Sequence, residues 1–512
     1  MPRRTSMRSI DGRSLDLEDV IAVARQRESV RLTPAAAKRV DAGRRALEKV
    51  VAKGGLAYGI KTGFGELANV AISNADVRTL QINLLRSHAV GQGPPLRRDE
   101  VRAALLLRAN TLAMGYSGVR RVLVTRLLEF LNRGLHPVVP SRGSLGASGD
   151  LAPLAHLGLV LVGEGQAELD GRIVSGAEAL RKAKLDPLVL QSKEGLAIIN
   201  GTSVMAGVAA LLVHDGLRLL KDAQVAASMS FEALRGSPKP FEDRLVSLKP
   251  QPGTREVAAN LRRLLRGSEI VPSHQGPHKV QDPYTLRCIP QVLGAVRSAF
   301  SDAAGSLRIE MNAATDNPLI FPDGTSLSGG NFHAQGLAMA LDHVALALSV
   351  LAGFSERRIA RLVDTRLSEL PPFLTKKSGL NSGMMIVQYV AAGLASDNKV
   401  LAHPASADSI PTSANQEDFV PMGMAAALKA RQALENAARV VGLEVLTAAQ
   451  GLEFLKPLRP GTGPRAAYAF VRTQVPPLND DRSLAADADW ILESMATGRF
   501  LGAVEKACGR LA

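Results

Sequence analysis

The chain has 512 residues, of which 46% are apolar, 21% charged and 4% aromatic, a composition that excludes disorder and favours packed helices over sheets. The net charge of +14 would suit nucleic acid or a membrane surface, but the arginines are dispersed, with modest clusters at Arg3-Arg4, Arg97-Arg98 and 262–266, and no zinc-finger or aromatic–basic motif accompanies them, so neither partner is expected. Two cysteines, Cys288 and Cys508, exclude a disulfide framework and suit a reducing cytoplasm; the basic N-terminus lacks the apolar core of a secretory signal, and no run approaches the ~20 uninterrupted apolar residues of a membrane span.

Residues 1–110 read as a mixed N-terminal region and 111–512 as an elongated helical bundle, so the fold class expected is mainly α, with loops carrying the chemistry. Thr33-Pro34 is an N-cap followed by an N1 proline, and the helix it starts runs to Gly54-Gly55. The Gly-rich stretch 58–65 must be a loop, headed by Tyr58, a mobile phenol or a packing residue. In Ser87-His88-Ala-Val-Gly-Gln-Gly93, His88 could contact substrate, act as a base, or be satisfied by backbone. Helical spacing then covers 100–133, 203–230, 284–315, 333–363, 383–400 and 423–455, with a last helix near 482–511. Leu337 to Ala352 is interrupted by Asp342 and His343 and reads as a buried bundle helix.

The loops between these helices hold the unusual groupings. In the segment Gly143 to His156, Gly143, Gly146 and Gly149 make a permissive backbone, and Pro153 sits where a helix could start. It contains Ala147-Ser148-Gly149. A compressed backbone there lets the Gly149 nitrogen attack the Ala147 carbonyl carbon. Loss of two waters, one from the Ser148 hydroxyl, leaves a five-membered ring with an exocyclic methylene, 4-methylideneimidazol-5-one. No ordinary side chain is such an electrophile. On its own the tripeptide is also a common turn. Asn200, in Asn200-Gly-Thr-Ser203, is a turn residue or an amide offered to a ligand. Gln281, Tyr284 and Arg287 are spaced three apart and share a face if a helix begins at Pro283; an amide, a phenol and a guanidinium suit an amino-acid carboxylate better than a core. Glu417-Asp418 is a carboxylate pair in a loop before a helix, where simple helix-terminus complementarity would also place acids. No histidine belongs to a metal-ligand set, and Ser148 lacks the Gly-x-Ser-x-Gly elbow of a hydrolase.

In order and spacing, these motifs resemble the aromatic amino acid ammonia-lyase family, and within it the histidine ammonia-lyases, from about residue 20 to about 455. The resemblance implies that Ala147, Ser148 and Gly149 form the methylidene-imidazolone prosthetic ring with no external cofactor. It implies that Tyr58 and Tyr284 are the active-site tyrosines, that Asn200 and Gln281 hold ring and substrate, that Arg287 clamps the carboxylate, and that Phe332 lies beside the ring. It further implies a homotetramer with active sites shared between subunits, acting on a small amino acid.

Ser87-His88 and Glu417 match the histidine-specific pattern, as does Met384-Met385. A glutamate can hydrogen-bond an imidazole, whereas against a phenyl ring it would stand unpaired at a cost of roughly 1–3 kcal/mol. The expected reaction is non-oxidative deamination of L-histidine to trans-urocanate and ammonia, with substrate amine or substrate ring adding to the methylene. Three positions depart from the pattern: Ser203 for Gln, Gln335-Gly336 for Glu-Pro, and Phe419-Val-Pro421 for His-Val-Ser. They keep open an ammonia-lyase or 2,3-aminomutase for phenylalanine, tyrosine or another aromatic amino acid, and a non-catalytic paralogue.

Overall fold

A computed structural model of the chain describes residues 7–52, 76–274 and 280–512. It is mainly α-helical, and its chain divides into two compact units. The first comprises residues 1–214, 303–342 and 404–428; the second comprises 215–302, 343–403 and 429–512. The boundary expected near residue 110 falls inside the first unit, within the helix Arg98–Ala113.

The first unit mixes helices with short strands. Met7–Ile10 pairs in parallel with Ser29–Leu32. The helix Pro34–Ala52 starts as expected, with the Thr33 hydroxyl accepting from the Ala36 amide at 3.2 Å. The stretch 100–133 is two helices, Arg98–Ala113 and Arg121–Asn132, because Gly115 and Gly118 turn the chain through left-handed backbone between them. A hairpin absent from the sequence reading joins Gln166–Leu169 to Arg172–Ser175. Its two-residue turn is Asp170-Gly171, both at positive φ, as a tight hairpin demands.

Among its described residues the second unit has helices joined by loops and no strand. It contains the helices Pro252–Leu264, Met385–Leu401, Thr462–Val471, Ala485–Ala496 and Arg499–Cys508. The single last helix expected near 482–511 is two, separated at Gly498, whose φ of 74° ends helical propagation. The four longest helices among the described residues are Ser203–Ala233, Ile289–Met311, Gln335–Val363 and Gly423–Glu453. Ser203–Ala233 and Gln335–Val363 have the length and apolarity to cross a bilayer, but 78% and 56% of their most apolar windows are buried inside the protein. Their apolar character is used largely for packing.

Candidate active site

The loop before helix Leu151–Leu161 is pinned against the end of helix Glu194–Ile199. Gly149 and Gly201 form a parallel bridge. The Asp150 amide donates to the Gly201 carbonyl at 2.8 Å, and the Gly201 amide donates to the Ser148 carbonyl at 3.3 Å. Asn200 caps the preceding helix, and its side-chain Nδ2 donates to the same Ser148 carbonyl at 2.8 Å. That carbonyl therefore receives two donors. Gly149 sits at φ +77°, and a Cβ there would fall on the Gly201 backbone well inside contact distance. Gly201 is equally confined: a Cβ on it would strike Arg108 and Thr315. Two glycines are thus required for the backbones to approach this closely.

Asp150 locks the loop from behind. Its buried carboxylate accepts from the amides of Val204 and Met205 at 2.8 and 2.9 Å, at the start of helix Ser203–Ala233, and from the Ser144 hydroxyl at 2.9 Å. Burial pushes its pKa up to about 6, although those three donors oppose the shift. Ala147 is buried against Val420 and Met422, while Ser148 is half-buried.

Glu417 reaches this loop from the segment before helix Gly423–Glu453, six residues short of the helix start. The Ser148 hydroxyl donates to its Oε1 at 2.7 Å, and the Thr412 hydroxyl donates to its Oε2 at 3.1 Å. The Thr412 and Glu417 backbones bond to each other across Ser413, Ala414 and Asn415, all in left-handed conformation (φ 51°, 51° and 67°). Three consecutive non-glycine residues there are costly and mark a turn whose shape is imposed by its surroundings.

His88 ends helix Val77–His88, half-buried. The Ser87 hydroxyl donates to the Leu84 carbonyl, so it accepts from His88 Nδ1 at 3.0 Å. With the hydroxyl so assigned, a neutral ring carries its proton on Nδ1. Burial lowers the His88 pKa; the Leu84 carbonyl and the charge of Glu417 oppose that. Phe332 is half-buried, and its neighbour Asn331 lines a cavity of about 240 Å³ together with Asp316, Phe321 and Ser328. At the departure from His-Val-Ser, the Phe419 ring stacks on His333 (centroids 6.3 Å apart), whose Nε2 donates to the Phe419 carbonyl at 3.2 Å.

The first unit therefore brings together Ala147, Ser148, Gly149, Asn200 and Glu417, with His88 within the field of Glu417. Tyr58 lies outside the described residues. Gln281, Tyr284 and Arg287 belong to the second unit. The helix after Pro283 covers only Tyr284–Arg287, so Gln281 precedes it and does not share its face. The Arg287 guanidinium lies over the Tyr284 ring, 4.6 Å from its centroid, and the ring is 68% exposed. Sequence reasoning passed over Arg108, which packs behind Gly201, and the buried pair Lys193–Asp316 (2.7 Å). An arginine in an apolar helical run, Leu105-Leu106-Leu107-Arg108, was the available signal.

A model of the aromatic amino acid lyases matches residues 15–473. The chain belongs to that family. It is 51% identical over 492 residues to a histidine ammonia-lyase of Caldanaerobacter subterraneus subsp. tengcongensis, covering 96% of this chain and 97% of the relative. Among solved structures it is similar to histidine ammonia-lyase from Trypanosoma cruzi (38% identity, TM-score 0.91, 98% of this chain and 96% of that one). Tyrosine aminomutase from Streptomyces globisporus shares the fold as closely (37% identity, TM-score 0.94, 99% and 100%). The fold is common to lyases and aminomutases.

Proposed function

We propose that the chain deaminates L-histidine to trans-urocanate and ammonia, as a carbon–nitrogen lyase using a methylidene-imidazolone made from Ala147, Ser148 and Gly149. Relatives named for this reaction, at about half identity over nearly the full length, support the reading. The observation that carries it is the Glu417 carboxylate, 2.7 Å from the Ser148 hydroxyl: a hydrogen-bond acceptor suited to an imidazole and wasted on a phenyl ring.

The loop fits the group. Gly149 and Gly201 leave no room for side chains, the Ser148 carbonyl has two donors, and the buried Asn200 Oδ1 has no protein partner among the described residues, which leaves it to accept from an added N–H. When formed, the group supplies the electrophilic methylene that makes a substrate amine a better leaving group. The chain's own residues do the rest. Arg287 holds the substrate carboxylate, and Tyr284 takes the β-proton. His88, through its Nε2, and Glu417 orient the imidazole, while Tyr58, Asn200 and Gln281 attend to the amine and Phe332 walls the pocket.

A homotetramer with shared sites is part of the proposal. An exposed Tyr284 needs covering to act as a base in a dry site, and Met339, Leu346 and Val350 on helix Gln335–Val363 are 58%, 51% and 44% exposed. The two free cysteines fit a cytoplasmic location.

The test is a panel of L-histidine, L-phenylalanine and L-tyrosine with wild type and Glu417→Gln. Urocanate from histidine, falling roughly 10- to 200-fold in kcat/KM in the variant, is the expected result. Cinnamate or coumarate without urocanate contradicts it, and a β-amino acid product identifies an aminomutase.

A further inference from the structure

Arg108 is fully buried in helix Arg98–Ala113, yet it has no ion-pair partner among the described residues. Its one hydrogen bond among the described residues runs from Nη1 to the Asn200 carbonyl at 2.7 Å. Nε and Nη2 have no partner among the described residues. Asp316 and Asp150 are close enough to act on it electrostatically, but Asp316 is held by Lys193 and Asp150 by the start of helix Ser203–Ala233. A guanidinium kept dry and unpaired is a poor stability device, because taking a charge out of water is repaid only by good partners.

What it touches gives it a use. The carbonyl it binds belongs to the Asn200–Gly201 peptide, and the N–H of that same peptide donates to the Ser148 carbonyl at 3.3 Å. The path is continuous: guanidinium N–H to Asn200 carbonyl, across one amide, then Gly201 N–H to Ser148 carbonyl. Hydrogen bonds in series polarise one another, most strongly at low dielectric and when one end is charged. Bonding at the Asn200 carbonyl also fixes the residue whose Nδ2 is the second donor to Ser148. Gly201 must lack a side chain for this, since a Cβ would strike Arg108 Nη1.

We propose that Arg108 is a positioning residue that draws electron density from the Ser148 carbonyl through the Asn200–Gly201 peptide and so sets the electrophilicity of the group formed there. The proposal rests on the prosthetic-ring reading above. The Ser148 carbonyl is the one retained in that ring and conjugated with its methylene, so pulling on its oxygen makes the methylene more reactive. Arg108 has no contact with the Ser148 or Glu417 side chains and acts on chemistry without binding substrate.

The test compares wild type with Arg108→Lys and Arg108→Met. Intact mass first gives the fraction of each protein lighter by two waters, and a thermal melt gives the folded fraction. Borohydride is then added and the rate constant for loss of the ring's near-ultraviolet absorbance is measured. That rate constant refers only to molecules that carry the ring, so incomplete folding lowers its amplitude and not its value. The proposal expects a slowing of about tenfold in Arg108→Met, which removes both the charge and the donor, and a smaller slowing in Arg108→Lys, which keeps the charge but carries its donor on a differently shaped head, with kcat falling in parallel and KM within about twofold. A wild-type rate constant in the ring-bearing fraction of Arg108→Met would overturn it. A wild-type protein at full mass would instead overturn the ring reading. The borohydride result is independent of which amino acid is the substrate.

Discussion

Two buried arginines in this molecule have opposite surroundings. Arg358, in the second unit, is fully buried and meets Glu444 through Nε and Nη2 at 2.5 and 2.7 Å. Glu444 also accepts from the hydroxyls of Ser230 and Ser355, and Phe354 presents its ring 4.8 Å from the guanidinium. Arg108, in the first unit, is equally buried but holds a single peptide carbonyl. A charge embedded in partners stabilises the packing around it and projects little field. A charge left almost unpartnered costs stability and acts on whatever polar group it faces. One region is built to hold the fold and the other to do chemistry.

The largest effect expected from disturbing this contrast comes from the chemical region. On the proposed reading, Ser148→Ala removes the hydroxyl that leaves as water. It should lower kcat by at least about 10³-fold while the unfolding midpoint stays close to wild type, measured by turnover and thermal melting. In the structural region the sign reverses. Arg358→Met strands the Glu444 carboxylate without its cation and should cost about 3–5 kcal/mol in urea unfolding, with the ring, where the protein is folded, unaffected. Full stability in that variant would break the distinction.

A subtler difference lies in pH. The Asp150 carboxyl is held at about 6 against an ordinary 3.8, chiefly by burial. The native state therefore binds that proton more tightly than the unfolded chain. The resulting stabilisation is complete below about pH 3.8 and lost as pH rises through about 6, a change on the order of 3 kcal/mol. Denaturant unfolding of wild type and Asp150→Asn at pH 4 and pH 7 isolates it: only the wild type should lose this share of stability on going to pH 7. The smallest effect is expected at the surface. Arg86 pairs with Glu164 at 2.6 Å while both side chains are well exposed, so Arg86→Ala should leave the urea unfolding midpoint close to wild type.

Much of this was legible in the sequence because it depends on local chemistry. The Thr33-Pro34 helix start, the permissive glycines around Ala147-Ser148-Gly149 and the long apolar helices follow from residue type and spacing. The hairpin at Asp170-Gly171 carried its own turn signal and could have been read. What could not be read depends on tertiary contact. The apolar run Leu105-Leu106-Leu107 flags Arg108, but periodicity cannot show which carbonyl its guanidinium meets. Ser413, Ala414 and Asn415 carry no mark of three left-handed residues in succession, because the Thr412–Glu417 pairing imposes that shape. The spacing of Gln281, Tyr284 and Arg287 suggested one helix face, but Pro283 starts the helix too late to include Gln281. That Gly201 must be glycine emerges only when the loop at Gly149 is laid against it.

On the proposed function, the Ala147–Gly149 loop is held so that it becomes an electrophile. Intact-mass spectrometry of the purified full-length protein, with the modification located by peptide mapping, tests it most directly. The account predicts a protein two water molecules lighter than its sequence, with the loss on the peptide containing Ser148 and absent in Ser148→Ala. A wild-type chain at its full sequence mass would contradict it.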